Sequence, residues 1–428
     1  MTFTEVEIPV GKGKVKANVP NLIATVVPQK VKGVSDQRAE VRRALANPIE
    51  SQRLSEIARG KKTAAIVVND ITRPYAGGLL VEEIANELAS AGLKDNDIFL
   101  VVAYGTHRIN TESELAGMFG ESVLKRFRIV HHKCQDDDTL VNVGVTKLGI
   151  PVTVNKEYMG ADVKILTGKI TPHHSAGFSG GRKSLLPGII GLKSLRIHHS
   201  FPIRPKSPSM GWLSGNPFHE EALSAARMAG VDFIVNMIDN AEKEMVAAVA
   251  GELNAAHLKG VEVCKSIWSY ELPAKADVVI VSPGGFPRDI DLYQAQKACA
   301  CAELACREGG QIILCAEAPD GAGKFASILK AAATPQDVID KYVREGFTAD
   351  STAKAYMYAR AMTQYKIGLA CSVVPDDELK EMFMIPYRTI DDGIQDAISR
   401  YGNDASFLVI PHASDIILTQ ANLQSSGC

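Results

Sequence analysis

Histidines, glycines and a lysine are concentrated in one short stretch of the chain. Residues 171–188 read TPHHSAGFSGGRKSLLPG, and a second histidine pair follows at His198 and His199. Imidazole groups bind metals or transfer protons near neutral pH, and a Gly-Gly turn can present backbone N–H groups to an anion. A lysine in such a setting can pair with a phosphate or bond covalently to a carbon electrophile. The stretch therefore indicates a site that combines acid–base chemistry with anion binding.

The same stretch nearly matches the phosphate-binding loop of nucleoside triphosphatases, G-x-x-x-x-G-K-[ST]. In residues 177–184, Arg182 occupies the position of the last glycine, whose backbone conformation disfavours arginine. Histidines also flank the loop, and nucleotide-binding loops do not need them. We therefore do not expect a P-loop NTPase, although a phosphate held by these N–H groups fits the pattern.

Each histidine pair leaves a choice between two neighbours. Adjacent residues of a helix point in different directions, so we expect only one of His198 and His199 to bind a given metal ion. No cysteine or carboxylate accompanies them with the spacing of a zinc site, which suggests that a cofactor supplies the other ligands. His173 and His174 likewise both remain candidates for an acid–base role.

Two further motifs carry polar and charged side chains. Residues 70–74 read DITRP, which places the guanidinium of Arg73 before a proline. There it can bind a carboxylate or phosphate, or form an ion pair within the turn. Residues 289–297 read DIDLYQAQK, and Gln294 and Lys297 are three apart and share a helix face. A polar surface face would show the same spacing, so this motif is weak by itself.

The predicted strands bring these residues together. Short apolar runs predict buried strands at 62–69, 97–103, 127–131, 162–168, 232–237, 276–282, 311–315 and 365–371. Helices predicted at 79–92 and 292–307 alternate with them, as in parallel sheets. Asp70, His107 and His173 each follow a strand, at the edge where open α/β sheets bind ligands. We therefore expect distant segments to meet in one site.

The predicted fold is α/β, with two domains that each contain a mostly parallel sheet flanked by helices. We expect an N-terminal domain over 1–270 and a C-terminal domain over 271–404. Residues 405–428, with strand patterns at 407–410 and 416–418, are expected to return to the N-terminal domain. The active site is expected in the cleft between the two domains, a common location for ligand sites.

Composition narrows the class of protein. The 428 residues are 46% hydrophobic and 22% charged, which is typical of a soluble globular protein. The formal net charge of −2 gives no overall attraction to nucleic acid or anionic lipid. No apolar run has the length of a membrane span, the N-terminus lacks a signal-peptide pattern, and the eight cysteines form no CxxC pair. We expect a cytoplasmic protein that binds neither nucleic acid nor membrane.

Taken together, the motifs resemble those of the nickel-dependent lactate racemase family, whose members racemise or epimerise 2-hydroxy acids. The matching motifs are D-x-T-R-P at 70–74, G-T-H-R at 105–108, H-x-x-A-G-F-S-G-G-R-K-x-x-x-P-G at 173–188, the histidine His199, and G-G-x-P-x-D-x-x-L-Y-Q-x-x-K at 284–297. They occur in the family's order over most of the chain. The block at 173–188 is highly specific, and the others gain weight as a set.

The resemblance implies a nickel-pincer nucleotide, a nicotinate-derived mononucleotide with two sulfur-bearing arms and a carbon bound to nickel. It implies that Lys183 attaches this cofactor covalently, that His199 is the nickel ligand, and that His107 and His173 are paired acid–base catalysts. The further cofactor contacts it implies are Asp70, Ile71, Thr72, Arg73, Gln294 and Lys297. The substrate contacts it implies are Arg73, Tyr293 and Lys297.

The implied reaction inverts the α-carbon of a 2-hydroxy acid, lactate or a larger homologue, by reversible hydride transfer. Removing a proton from a carbon next to a carboxylate is difficult, whereas removing a hydride gives a stable keto acid. The implied partners are the small substrate and the enzymes that mature the cofactor. Two alternatives remain, namely a zinc- or iron-dependent hydrolase or lyase, and a non-catalytic protein that binds a phosphorylated ligand. The residues do not specify the substrate or the oligomeric state.

Overall fold

The computed structural model describes residues 2–201, 210–346 and 352–420. Its strands are β1 (Phe3–Val10), β2 (Gly13–Pro20), β3 (Leu22–Thr25), β4 (Ala64–Asn69), β5 (Ile98–Ala103), β6 (Arg128–His131), β7 (Leu140–Val145), β8 (Pro151–Asn155), β9 (Val163–Lys169), β10 (Pro172–His173), β11 (Gly177–Phe178), β12 (Phe233–Asp239), β13 (Met245–Gly251), β14 (Ser269–Leu272), β15 (Ala276–Val281), β16 (Cys306–Cys315), β17 (Lys366–Ala370), β18 (Ile385–Tyr387), β19 (Phe407–Ile410) and β20 (Ile417–Gln420).

The α-helices alternate with these strands. They are α1 (Gln37–Ala46), α2 (Leu54–Ile57), α3 (Gly77–Ser90), α4 (Glu112–Phe119), α5 (Glu121–Arg126), α6 (Lys156–Gly160), α7 (Leu192–His199), α8 (Pro217–Met228), α9 (Ala255–Trp268), α10 (Leu292–Ala305), α11 (Ala326–Lys330), α12 (Pro335–Glu345), α13 (Thr352–Gln364), α14 (Asp376–Glu381) and α15 (Ile390–Tyr401). Within the described ranges, no helix is long and apolar enough to cross a membrane.

A first six-stranded sheet has the order β13-β12-β9-β4-β5-β6. Its strands are parallel except β13, which runs antiparallel to β12. Alternate side chains of β4 enter different cores, Ile66 and Val68 on one face and Ala65 and Val67 on the other. Both faces are therefore buried under helices and loops, which explains why the sequence shows continuous apolar runs there. The mixed α/β class predicted from these runs is confirmed.

A second six-stranded sheet, of order β18-β17-β16-β15-β19-β3, is parallel throughout. It corrects the expected course of the C-terminal segment, because β19 joins this sheet between β15 and β3 rather than returning to the first sheet. The apolar residues 407–410 are all buried, and β15 offers them a parallel neighbour. Their pattern predicts a buried strand but not which sheet receives it. Residues 421–428 lie outside the described part of the chain.

The N-terminal residues also belong with the second sheet. β3 forms its edge, and the hairpin of β1 and β2 packs Ile8 and Val19 into the same core as Ile280 and Ile313. Near the expected boundary at residue 270, β14 pairs with β20. Residues 3–25 and 407–420 are thus tied to the C-terminal half, which the order of elements along the sequence does not reveal.

Candidate active site

The candidate residues of the first half lie at the carboxyl edge of the first sheet. Asp70 follows β4 directly, His107 follows β5 by a short turn, and His173 lies in β10 just after β9. Because β4, β5 and β9 are parallel neighbours, their ends reach the same edge. Side chains that are far apart in the sequence therefore meet, as the contact between Asp70 and His107 shows.

Asp70 orients His107 and sets its tautomer. Asp70 Oδ2 lies 2.6 Å from His107 Nδ1, and Thr72 Oγ1 donates to Asp70 Oδ1 at 2.7 Å. Asp70 is buried, whereas the His107 side chain is 43% exposed. Desolvation raises the pKa of Asp70, but hydrogen bonds from His107 and Thr72 outweigh it and hold this pKa below its usual value. With Nδ1–H donating to the carboxylate, neutral His107 has its lone pair on Nε2 and can accept a proton there.

His173 is held in the opposite way. Its Nδ1 accepts hydrogen bonds from the backbone N–H groups of Ser175 and Ala176, both at 3.1 Å. Burial, followed by the charge of Lys183, lowers the pKa of His173 well below its usual value. The ring is therefore neutral and carries its proton on Nε2. In this state it can donate a hydrogen bond, but its Nε2 has no lone pair to accept a proton.

His174 stacks on His173, with ring centroids 4.6 Å apart and planes 20° apart. Burial and then the charge of Lys354 lower its pKa well below the usual value. The two rings thus share one site, and the structure does not separate their roles as it separates His107 from His173. The choice of His173 as the acid–base residue stays a prediction.

Lys183 lies in a short 3-10 helix (Gly181–Ser184) that follows β11. Burial, followed by the positive charges of Arg73, Arg182 and Lys297, lowers its pKa well below the usual value. Its Nζ lies 6.0 Å from the centroid of the Phe218 ring. An uncharged amine in such a place is a nucleophile, which suits covalent attachment of a ligand.

Arg182, next to Lys183, points into the protein and fastens the glycine-rich loop. It is 1% exposed and donates to the carbonyl oxygens of Ala176 and Gly180 at 2.8 and 3.3 Å. Its Nη1 also lies 2.8 Å from His257 Nε2. The positive φ angles fall on Gly180 and Gly181, so the arginine does not have to adopt that conformation. This structural role was not predicted from the sequence.

His199 is placed better than His198 to bind a metal. His198 is fully buried, and its Nε2 lies 2.8 Å from the carbonyl oxygen of Phe218, which accepts its proton. His199 is half-buried, and its Nδ1 lies 3.0 Å from the carbonyl oxygen of Leu195 one turn earlier. That bond puts the proton on Nδ1 and the lone pair of the neutral ring on Nε2, the arrangement common in metal-binding histidines. Its assignment as a ligand stays a prediction.

Phe218 is the common neighbour of several candidates. Its ring centroid lies 6.4 Å from that of His173 and 5.4 Å from that of His199, besides its contact with Lys183. Phe218 is the second residue of α8. Asn216 caps this helix, and its side chain accepts a hydrogen bond from the Phe218 N–H at 2.9 Å. Sequence reasoning missed this residue, although the Asn-Pro helix start before it was a readable signal.

The second half of the chain contributes residues from α10. Asp291 caps this helix by accepting from the Gln294 N–H at 2.7 Å, and Lys297 Nζ donates to Gln294 Oε1 at 2.8 Å. The predicted common face of Gln294 and Lys297 is thus confirmed. Burial, followed by the charge of Arg73, lowers the pKa of Lys297 to about 8. Arg73 belongs to the first half, so this coupling joins both halves.

Arg73 and Ile71 lie at the solvent side of the site. Arg73 is exposed, and its Nη1 donates to the Thr72 carbonyl oxygen at 3.0 Å. Ile71 is 40% exposed, and its backbone N–H donates to Asn110 Oδ1 at 3.3 Å. Among the described residues, no contact of the Ile71 side chain supports a role for it.

The site as a whole is a cluster of positive and neutral basic groups. Arg73, Lys183 and Lys297 each lower the pKa of His173, and each of these basic groups disfavours the charged form of its neighbours. Repulsion among them indicates a negatively charged ligand, because an anion would offset it. Over the described ranges, no group of three or more His, Cys, Asp or Glu side chains is placed to hold a metal ion.

The fold and this site define an α/β protein in which histidines lie near a lysine whose pKa is lowered by burial and neighbouring positive charges. Comparison with known families agrees: the lactate racemase N-terminal domain matches residues 10–211, and the lactate racemase C-terminal domain matches residues 272–418. The chain therefore belongs to the lactate racemase family, and it is an isomerase of the racemase class.

Individual relatives cover nearly the whole chain. A lactate racemase of Thermoanaerobacterium thermosaccharolyticum is 34% identical over 98% of this chain and 100% of its own length. One of Lactiplantibacillus plantarum is 34% identical over 89% of this chain and 91% of its own length. The structure of the T. thermosaccharolyticum apoprotein matches with a TM-score of 0.89, at 33% identity, over 97% of this chain and 100% of that one. A Thermotoga maritima protein shares the fold, with a TM-score of 0.65 at 19% identity.

Proposed function

We propose that this protein inverts the α-carbon of a 2-hydroxy acid, lactate or a larger homologue, by reversible hydride transfer to a nickel-pincer nucleotide attached to Lys183. One arrangement carries the proposal: Lys183, His173 and His199 surround the ring of Phe218, as a single cofactor beside an acid–base group requires. The racemase relatives support the same reaction type.

The residues present fit this cofactor. Lys183 has a depressed pKa, so its amine is available to form the covalent tether. His199 presents one nitrogen lone pair, which suits a nickel ion whose softer ligands come from the cofactor. When bound, the cofactor supplies the hydride acceptor. Residues 70–73, Gln294 and Lys297 would contact it around this centre.

His107 is the residue of the pair whose hydrogen bonds leave the Nε2 lone pair able to accept a proton. Its Nε2 would take the hydroxyl proton of the substrate as the hydride leaves the α-carbon. The imidazolium that forms keeps its Nδ1–H bond to ionised Asp70, and this ion pair stabilises the new charge. Asp70 does not accept the proton itself, because its depressed pKa keeps it ionised.

His173 would serve the opposite enantiomer only after a change of state. In its present hydrogen bonds it is a neutral Nε2–H donor that can polarise a substrate oxygen. To act as a base at Nε2 it must move its proton to Nδ1, which requires release from the N–H groups of Ser175 and Ala176. The two directions of the reaction therefore begin from unequal acid–base groups.

The substrate carboxylate would bind to Arg73 and Lys297, with Tyr293 beside it. These residues come from both halves of the chain, so we propose that the substrate lies in a cleft between the two sheets. Enclosure there would keep the planar keto acid in place while it presents its other face. We also propose that the enzyme acts in the cytoplasm, where maturation enzymes would supply its cofactor.

The proposal is tested by two measurements on protein produced together with the cofactor maturation enzymes. Chiral chromatography should show interconversion of the enantiomers of a 2-hydroxy acid. Mass spectrometry of the peptide that contains Lys183 should show a covalent adduct. Active enzyme with an unmodified Lys183 peptide would refute the tether, and absence of turnover over a panel of 2-hydroxy acids would refute the reaction.

The same measurements address the two alternatives. Stoichiometric zinc or iron without an organic adduct would favour a hydrolase or lyase. Binding of a phosphorylated ligand that survives Lys183→Ala, with no turnover, would favour a binding protein.

A further inference from the structure

A buried lysine of α13 lies beside the proposed substrate contacts. Lys354 is 5% exposed. Its Nζ donates to Gln296 Oε1 at 2.9 Å and lies 5.1 Å from the centroid of the Tyr293 ring. These two neighbours belong to α10, the helix that carries Lys297. An ammonium group has three N–H donors, and in the described part of the chain Lys354 forms one hydrogen bond and no ion pair with a carboxylate.

The charge of Lys354 affects the pKa of other groups of the site. After burial, this charge is the largest cause of the lowered pKa of His174, which lies in the other half of the chain. Burial, followed by the charge of Lys297, in turn lowers the pKa of Lys354 to about 7. Its 5% exposure and its contact with the Tyr293 ring place Lys354 inside the protein, beside a residue that we propose contacts the substrate.

A desolvated lysine without a counter-ion is unfavourable, and a second one nearby makes it more so. One substrate carboxylate, shared by Arg73 and Lys297, balances the charge at that end of the site. The carboxylate of Asp291, which caps α10, acts on both Lys354 and Lys297, and a single negative charge does not balance two lysines. The Tyr293 ring and Gln296 provide a cation–π contact and one acceptor, and neither supplies a negative charge. An additional anionic group would balance the charge of Lys354.

We propose that Lys354 binds a second carboxylate of the substrate, so that the preferred substrate is a four-carbon 2-hydroxy dicarboxylate rather than lactate. This inference rests on the proposed racemase function and names its substrate class. The second carboxylate lies on the side of the substrate away from the one held by Arg73 and Lys297. It would extend toward Lys354 in α13.

The test compares L-malate and L-lactate as substrates of the cofactor-loaded enzyme. The variants are Lys354→Met, which keeps the length and removes the charge, and Lys354→Arg, which keeps the charge. Lys341→Met, on the exposed side of α12, is the matched control.

We expect wild-type enzyme to favour malate in kcat/KM. Lys354→Met should lower the malate-to-lactate ratio at least ~10-fold through KM, as loss of a charge-assisted hydrogen bond predicts. Lys354→Arg should retain most of the preference.

Each outcome either supports or overturns the assignment of Lys354 to a second carboxylate. Equal effects of Lys354→Met on both substrates, or a wild-type preference for lactate that it does not change, would overturn the inference and leave the racemase proposal intact. Less adduct on Lys183 in Lys354→Met would assign the lysine to the cofactor and also overturn it. If only other 2-hydroxy acids of the panel are racemised, the inference is overturned and the racemase proposal stands. If no acid of the panel is racemised, the proposed function fails, and calorimetry with malate tests the inference: binding weakened by Lys354→Met but not by Lys341→Met supports the second-carboxylate site, and equal binding overturns it.

Discussion

At the scale of the residue, local hydrogen bonds give two histidines of one site opposite properties. A carboxylate accepts from Nδ1 of His107, whereas two backbone N–H groups donate to Nδ1 of His173. The first ring is thereby ready to take a proton on Nε2, and the second is a neutral donor at that atom. Residue type predicts that both can transfer protons, but only the surroundings decide which state each one occupies.

Asp70→Asn is expected to lower kcat by roughly 10²-fold or more. An amide keeps the size of the side chain but cannot balance the imidazolium of His107, and it can favour the wrong tautomer. Turnover of the loaded enzyme in both directions measures the effect. The exposed Asp138→Asn is the control. Equal kcat in Asp70→Asn and wild type would show that the contact between Asp70 and His107 is only structural.

Lys183 is expected to react with cyanate at pH 7 at least ~10-fold faster than the exposed Lys62 in cofactor-free protein. Cyanate modifies neutral amines, and the depressed pKa of Lys183 makes its neutral fraction far larger than that of an ordinary lysine. Quantitative mass spectrometry of the two peptides in one sample gives the ratio. A slower reaction at Lys183, in protein whose fold is intact by circular dichroism, would contradict the assignment of an uncharged amine.

At the scale of the element, the hairpin of β10 and β11 sets the position of His173. Gly177 pairs with His173 across this hairpin and has a φ of 72°. A Cβ at Gly177 would overlap the carbonyl oxygen of Trp212. The glycine is therefore required both by its backbone angle and by the close approach of another segment.

Gly177→Ala is expected to destabilise the protein by roughly 3 kcal/mol, against about 1 kcal/mol for Gly149→Ala. Both glycines have positive φ, but a Cβ at Gly149 meets no atom within 4 Å, so the pair separates the overlap from the backbone strain. Midpoints of urea unfolding give the comparison. Equal shifts would mean that the segment around Trp212 moves aside at little cost.

At the scale of the whole molecule, the proposed site draws residues from both sheets. The first supplies the histidines and Lys183 from its carboxyl edge, and the second supplies Lys297 through α10. The charges of the two halves act on each other, as the pKa of Lys297 shows. A substrate held between them would be shielded from water, which bears on the fate of its α-hydrogen.

Racemisation in D₂O is expected to leave the α-carbon of the substrate unlabelled. A hydrogen that leaves and returns as hydride does not exchange with solvent, whereas one removed as a proton usually does. Mass spectrometry or proton NMR of the product at half conversion measures incorporation. The matched control is α-deuterated substrate in H₂O, which should retain its label. Deuterium uptake at the rate of racemisation would establish proton abstraction and exclude hydride transfer.

The sequence by itself determined the α/β class and the inventory of the site. Apolar runs such as 64–69 and 276–281 are short and rich in β-branched residues, which predicts strands covered on both faces without knowledge of the fold. The histidines, Lys183, and the spacing of Gln294 and Lys297 could be read in the same way, because residue type and helical periodicity are local properties.

Only the tertiary structure decided which sheet receives residues 22–25 and 407–410, and which protonation state each histidine of the site has. Residues 22–25 and 407–410 join the second sheet because an open strand edge accepts them there, a fact absent from their own pattern. Phe218 and Lys354 gained their places through long-range packing. Which ring nitrogen of His107 and His173 carries the proton depends on partners that the fold brings within hydrogen-bonding distance. Desolvation and short-range charge act through space and not along the chain.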